Sequence, residues 1–286
     1  MSPGGPVDAG AFLSARHEGD GAWALEMGAA LRGAFGGVFG GGIAAATLLV
    51  ARSLADGRRP VSLHTSFLRT LDAPTQVAEA SLVSSGRTVT TVSVVMHEGA
   101  GSDSSSGAGG RPVAHAVATF AAPDALVDFD AAGPLQAPEV KAFDDGWELP
   151  VPKGVEAPLM DTLPLRITGM PDGGFAHTIR TPWSGEGCAA EAAAMMGDYC
   201  AGVPVGAAVG PKGTKIPVPN PDLSLRFCGE AWGEVVVGVG RLARIDRGAA
   251  ATLVEVWTGP DDAWVAGDDR PTLLAVGLSS AVMLAR

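Results

Sequence analysis

Gly36-Gly37-Val38-Phe39-Gly40-Gly41-Gly42 leads directly into Ile43-Ala44-Ala45-Ala46-Thr47-Leu48-Leu49-Val50-Ala51, a segment with no polar stripe and length enough for about three turns of helix. A helix apolar on every side is enclosed by other elements rather than laid on a surface. Something must therefore wrap it. From Val61 to Phe120 the chain consists of short alternating segments of strand type, so the expected arrangement is an antiparallel sheet curled around one buried helix.

Taken in order, Ala22–Met27 alternates as a first strand, and the glycine-led helix ends near Asp56-Gly57, where glycine supplies a left-handed cap. Val61–Leu68 puts Val61, Leu63, Thr65 and Phe67 on one face and Ser62, His64 and Ser66 on the other. Strands Thr75–Val83 and Thr88–Met96 flank a turn at Ser84-Ser85-Gly86-Arg87, and Val113–Phe120 follows a serine-glycine tract, Gly101–Gly110, read as a loop. Residues 123–158 are rich in proline and acid and show no period, as befits an inter-domain connection. The pattern then restarts with an alanine-rich helix over Gly187–Met196 and strands over Leu223–Phe227, Val235–Ile245, Ala250–Trp257 and Thr272–Leu284.

The two halves superimpose by subtraction. Phe67 and Phe227, Arg87 and Arg247, and Gly99 and Gly259 each differ by 160, and Arg111-Pro112 and Arg270-Pro271 by 159. Four markers of matching local role, in one order and at one offset, favour an internal duplication. The expected units are 1–122 and 161–286, joined by 123–160.

Charge narrows the partners. The net charge is -11, opposite to the basic footprint that nucleic acid or an anionic membrane requires. The longest apolar runs break at Arg52, Arg69 or glycine before spanning length, and Met1–Pro6 lacks the pattern of a signal peptide. A cytoplasmic protein with no nucleic-acid or membrane partner is expected. Cys188, Cys200 and Cys228 have no paired short spacing, so neither a disulfide framework nor a zinc site follows, and Cys188 and Cys200 read as core fillers.

Val38-Phe39-Gly40-Gly41, then Ser62–Arg69, then Ser85-Gly86-Arg87-Thr88 leading through a valine-rich strand to His97-Glu98-Gly99, resembles the N-terminal half of the acyl-CoA thioesterase II family, with a weaker likeness from about residue 160 onward. The resemblance implies an α+β double hot dog, two antiparallel sheets each wrapping a central helix. It implies an acyl-CoA or acyl-carrier thioester as substrate, no metal or redox cofactor, and, because duplicated hot dogs pair further through exposed sheet edges, a homo-oligomer. It further implies a water activated by an aspartate, a threonine and a glutamine in the second half. The aspartate position falls on Asp222, five residues before Phe227, and the glutamine column on Ser279. No Ser or Thr occurs from Val235 to Ala251, where the threonine is expected.

On this reading Asp222 is the general base, Ser279 holds the water in place of an amide, and the thioester carbonyl meets backbone N–H groups near Gly40, Gly41 and Gly42 at a helix N-terminus. His64 lines the pocket. Each residue also has a plainer reading: Asp222 after Asn220-Pro221 as a turn residue, Ser279 as an ordinary strand residue, His64 satisfied by backbone. Asp198 matches a Ser-Asp pair at that helix end of the family and reads as structural. Gly40-x-Gly42-x-x-Ala45 fits a dinucleotide fingerprint only formally, since the strand that follows alternates instead of running continuously apolar. Gly277-Leu278-Ser279-Ser280-Ala281 leaves no room downstream for the Asp and His of a serine hydrolase. The expected activity is hydrolysis of an acyl thioester to acid and thiol; the rival is a non-hydrolytic relative that binds such a thioester, or dehydrates or cyclises a carrier-bound intermediate.

Overall fold

A computed structural model describes residues 8–33, 36–99, 110–126, 133, 135–148, 156–172, 174–180, 183, 189–209, 218–262 and 264–284. Cys188, most of the serine-glycine tract and the start of the second glycine-led helix lie outside them. The described elements are α1 (Ala9–Phe12), β1 (Arg16–Gly19), β2 (Ala22–Leu25), α2 (Gly40–Arg52), β3 (Arg59–Phe67), β4 (Gln76–Ser85), β5 (Val89–Glu98), β6 (Pro112–Ala121), β7 (Trp147–Glu148), α3 (Pro158–Thr162), β8 (Leu165–Gly169), β9 (Phe175–Arg180), α4 (Ala189–Ala201), α5 (Val203–Val209), β10 (Asp222–Phe227), β11 (Val235–Asp246), β12 (Ala249–Gly259) and β13 (Thr272–Val282).

The strands form one antiparallel sheet in the order β1-β2-β4-β5-β6-β3-β10-β13-β12-β11-β9-β8-β7. Its middle is the β3–β10 pair, and on either side the same sequence of elements occurs: β2-β4-β5-β6-β3 beside α2, and β9-β11-β12-β13-β10 beside α4. The markers at offset 160 occupy matching places. Phe67 and Phe227 end β3 and β10, while Arg87 and Arg247 sit in the β4–β5 and β11–β12 turns. His64 and Ser224, also 160 apart, are paired directly across β3 and β10, so a pseudo-two-fold axis passes between them. Instead of two separate sheets, the described strands make a single one, because β3 and β10 hydrogen-bond edge to edge.

Both helices are buried as their composition demands. α2 and α4 lie against each other inside the curl of the sheet, in one core with Leu63, Val92, Val94, Leu223 and Leu225. α2 ends at Arg52, a turn before Gly57. Ala189–Val209 is apolar and long enough by composition to cross a membrane, contrary to the expectation that no run reaches that length. It nonetheless consists of two helices packed on the sheet, with Glu191 and Asp198 buried in the first.

The connection is more structured than its aperiodic composition suggests. Val140 pairs with Trp264, and Val140 and Phe143 form a second small core with Ala176, Val237 and Trp257 on the face of the sheet away from the helices. The Arg180 guanidinium lies 4.7 Å over the Phe143 ring and donates to Asp261, which also accepts from the Phe143 N–H.

Candidate active site

Strand alternation decides where the expected site residues point. Leu223 and Leu225 of β10 lie beneath α4, within 3.3–3.6 Å of the position a side chain on Gly197 would take. Asp222 and Ser224 therefore project to the opposite face. There the Asp222 carboxylate accepts from the Ser280 N–H at 2.9 Å and the Ser280 hydroxyl at 3.0 Å. Ser279 does face the helices and is buried, yet its hydroxyl donates to the backbone carbonyl of Asp222 at 2.8 Å. Asp222 and Ser279 are neighbours in sequence register but not two side chains around one water; Ser280 is the residue that touches the carboxylate.

His64 is also on the far face. Its Nδ1 lies 2.7 Å from Ser224 Oγ and its Nε2 3.3 Å from Ser66 Oγ, and it is exposed, so it does not line a cleft beside α2. The alternation of Leu63 and Thr65, both buried, requires this.

The carboxyl that does meet the glycine run is Asp198, the tenth residue of α4. A side chain at Gly40 would lie 2.8 Å from Asp198 Oδ2, and the Gly41 backbone hydrogen-bonds the carboxyl. The Asn220 amide reaches Oδ1 at 3.5 Å from the half-buried turn before β10. Burial pushes the Asp198 carboxyl up to about 6, against the lowering effect of Asn220 and Gly41. Sequence reading missed this grouping because it joins the first repeat's helix tip to the second repeat's helix end.

The glycines divide accordingly. Gly41 and Gly42 are buried, and the Gly42 N–H is already bonded to the Phe39 carbonyl. Gly40, half-buried at the tip of a helix whose N-cap Phe39 offers no side-chain acceptor, is the one beside the carboxyl. At Gly41 a side chain would strike the Met195 carbonyl and the Phe39 ring. Gly41→Ala is expected to destabilise the fold by about 1–3 kcal/mol, read by urea denaturation.

Beneath the helices a row of residues runs across the strands: Thr252, Ser279, Leu223, Thr65 and Ala116. Thr252 and Thr65 are buried, and the Thr65 hydroxyl has no hydrogen-bond partner among the described residues. On the Asp198 side the Phe39 and Tyr199 rings meet tilted at 49°, 4.5 Å between centroids, and burial raises the Tyr199 hydroxyl above its usual range. The arrangement is a buried carboxyl, a helix N-terminus, an amide and an apolar interior, suited to activating a water beside an acyl chain.

The opposite end of the helix pair is built differently. There the last turn of α2, which carries Arg52, meets the first described turn of α4. Glu191, fully buried in that turn, accepts from Arg52 Nε and Nη2, both at 2.9 Å. Burial raises the Glu191 carboxyl and Arg52 opposes the rise.

Residues 31–121, from the turn before α2 to the end of β6, match the acyl-CoA thioesterase N-terminal domain family. A search of curated proteins finds no match. Among solved structures, a hot dog protein of unknown function from Alicyclobacillus acidocaldarius is 18% identical with a TM-score of 0.72, over 97% of this chain and 98% of that one. A tesB protein from Mycobacterium avium subspecies paratuberculosis is 17% identical at 0.68, over 97% and 98%. An acyl-CoA thioesterase II, TesB2, from Mycobacterium marinum is 17% identical at 0.66, over 98% and 99%. The chain has the hot dog fold of these structures, and its residues 31–121 are similar to the acyl-CoA thioesterase N-terminal domain family.

Proposed function

We propose that this protein is a double hot dog, with units 1–122 and 161–286 joined by 123–160, that hydrolyses an acyl-CoA thioester to the free acid and CoA. The observation that carries the reading is Asp198, a buried carboxyl with a raised pKa held against the glycine-led N-terminus of α2. Ionised, Asp198 takes a proton from a water as that water attacks the thioester carbonyl; the carbonyl oxygen gains negative charge near the α2 tip at Gly40, and the C–S bond breaks as the thiolate leaves. Asn220 orients the water through its amide. Asp222 has a different part, locking β10 to β13 through Ser280.

The test is a thiol-release assay over short, long and aromatic acyl-CoAs. Asp222→Asn is expected to keep activity within about threefold, because its change is confined to the far face of the sheet, and to cost about 1–3 kcal/mol of stability. A larger loss of activity in this variant, with the fold intact, would return Asp222 to the chemistry. Binding of non-hydrolysable thioether analogues without thiol release from any thioester would favour the binding or carrier-bound alternative.

A further inference from the structure

The free edges of the sheet are not alike. An open edge offers its backbone groups to any strand that meets it, and charged residues, short length or a covering helix are the usual guards. Among the described residues, β1 at one end carries Arg16, His17 and Glu18, and β7 at the other is two residues long. Two further edges arise where a long strand outruns its neighbour. β9 pairs with β11 only as far as Gly240, and β2 with β4 only as far as Glu79.

The β11 overhang is guarded. Arg241, Arg244 and Asp246 stand on it, and Leu242 joins the small core around Val205 of α5. The β4 overhang is bare. Past Ala80, whose N–H is taken by the Gly21 carbonyl at 2.9 Å, β4 runs on through Ser81-Leu82-Val83-Ser84-Ser85 without a charge. Leu82 precedes Leu242 by 160 residues, but α2 is followed directly by β3, with no counterpart of α5. Leu82 and Val83 are accordingly 54% and 62% exposed. Both overhangs carry a bulge, after Leu82 and after Leu242, so the bulge does not distinguish them.

The two ends of the bare overhang differ in charge. At its start stand Glu79 and, in the β1–β2 turn that touches Ala80, Asp20, both exposed. At its finish is the Gly86-Arg87 turn, where Arg87 is exposed and Arg58 donates to the Gly86 carbonyl at 2.8 Å. Laid antiparallel on its own copy about Val83, the segment sets Ser81 against Ser85 and brings Arg87 to Glu79 and Asp20, twice over. Parallel pairing would set arginine against arginine.

We propose that this overhang is where a second copy of the chain docks, β4 adding to β4 across a two-fold axis at Val83, so that the sheet runs on from one copy into the other. Five residues a side make a contact below the ~1,200 Å² of stable complexes, so the dimer is reversible. It supplies no residue to the Asp198 grouping and stands apart from the thioesterase reading.

Sedimentation velocity of the full chain from about 1 to about 500 μM is expected to show monomer passing to dimer. Val83→Lys guards the edge with a charge and is expected to raise the dissociation constant by about tenfold or more, with an unchanged melting temperature because Val83 is exposed. Arg87→Glu weakens the dimer likewise. Arg87→Glu with Glu79→Arg exchanges the two ends and restores it in part, since Asp20 remains. Val83→Cys sets two thiols opposite each other at the axis, within disulfide reach; mild oxidation is expected to join the copies there and not in wild type, whose Cys228 is exposed. A monomer throughout would leave the edge to an unlike chain and overturn the proposal. So would a dimer that Val83→Lys and Arg87→Glu do not weaken, or a Val83→Cys dimer that does not cross-link.

Discussion

Asp198→Asn is expected to lower kcat/KM for acyl-CoA hydrolysis by about 10²- to 10⁴-fold, the usual contribution of a positioned general base. Asn keeps the shape and the contact with Asn220 but cannot take a proton from water. The wild-type profile carries a sign that can be checked: the base works ionised, so kcat/KM should rise with pH through about 6 and level above it. In the Asn variant the residual rate should lack that limb. A flat wild-type profile from pH 5 to 8, or full activity in Asp198→Asn, would rule out this base.

The same shift has a stability consequence. The folded carboxyl holds its proton up to about 6, the unfolded one only to the ordinary aspartate value. Between about 4 and 6 the native state binds more protons than the unfolded chain, so stability falls as pH rises through this window. Asn has no such term. The Asn variant should therefore gain on wild type by about 2 kcal/mol between pH 4 and pH 7, measured by urea denaturation at both values.

Arg52→Met should be the most damaging single change to stability, at about 3–5 kcal/mol near neutral pH. Glu191 is fully enclosed and its charge is balanced by Arg52 through two parallel hydrogen bonds. Without Arg52 an ionised carboxyl is left in an apolar interior, so the variant escapes part of the cost by protonating Glu191 and is less impaired at pH 5 than at pH 8. Arg52→Met with Glu191→Leu removes both charges and should recover most of the loss, because well-packed apolar residues replace buried ion pairs at little cost. If Arg52→Met unfolds at the same urea concentration as wild type at pH 8, the pair is not the clamp the geometry indicates.

What could be read from the sequence was whatever depends on local period. β3, β5 and β6 alternate, α2 is apolar throughout, and the offset of 160 locates matching turns, so the duplicated order of elements was legible. β9 was not. Its Phe-Ala-His-Thr-Ile-Arg is buried on both faces through Ile179, because the layer around Val140 and Phe143 covers its outer side, and a strand covered twice has no alternation to reveal it. The facing of the site residues was hidden for a related reason. Asp222 was chosen by motif column and His64 as a polar-face residue beside α2, although the apolar partners Leu223 and Leu63 already assign both to the outer face. Asp198 acquires its environment only when α4 of one repeat meets the tip of α2 of the other, a juxtaposition of residues more than 150 apart in sequence that no linear pattern contains.

The direct pairing of β3 with β10 has a kinetic corollary. A glycine tip from one half and a carboxyl from the other are tethered in a single polypeptide, so their encounter is governed by effective concentration and not by mass action between subunits. Specific activity should then hold constant on serial dilution, where a centre assembled from two separate chains would fade as the chains part company.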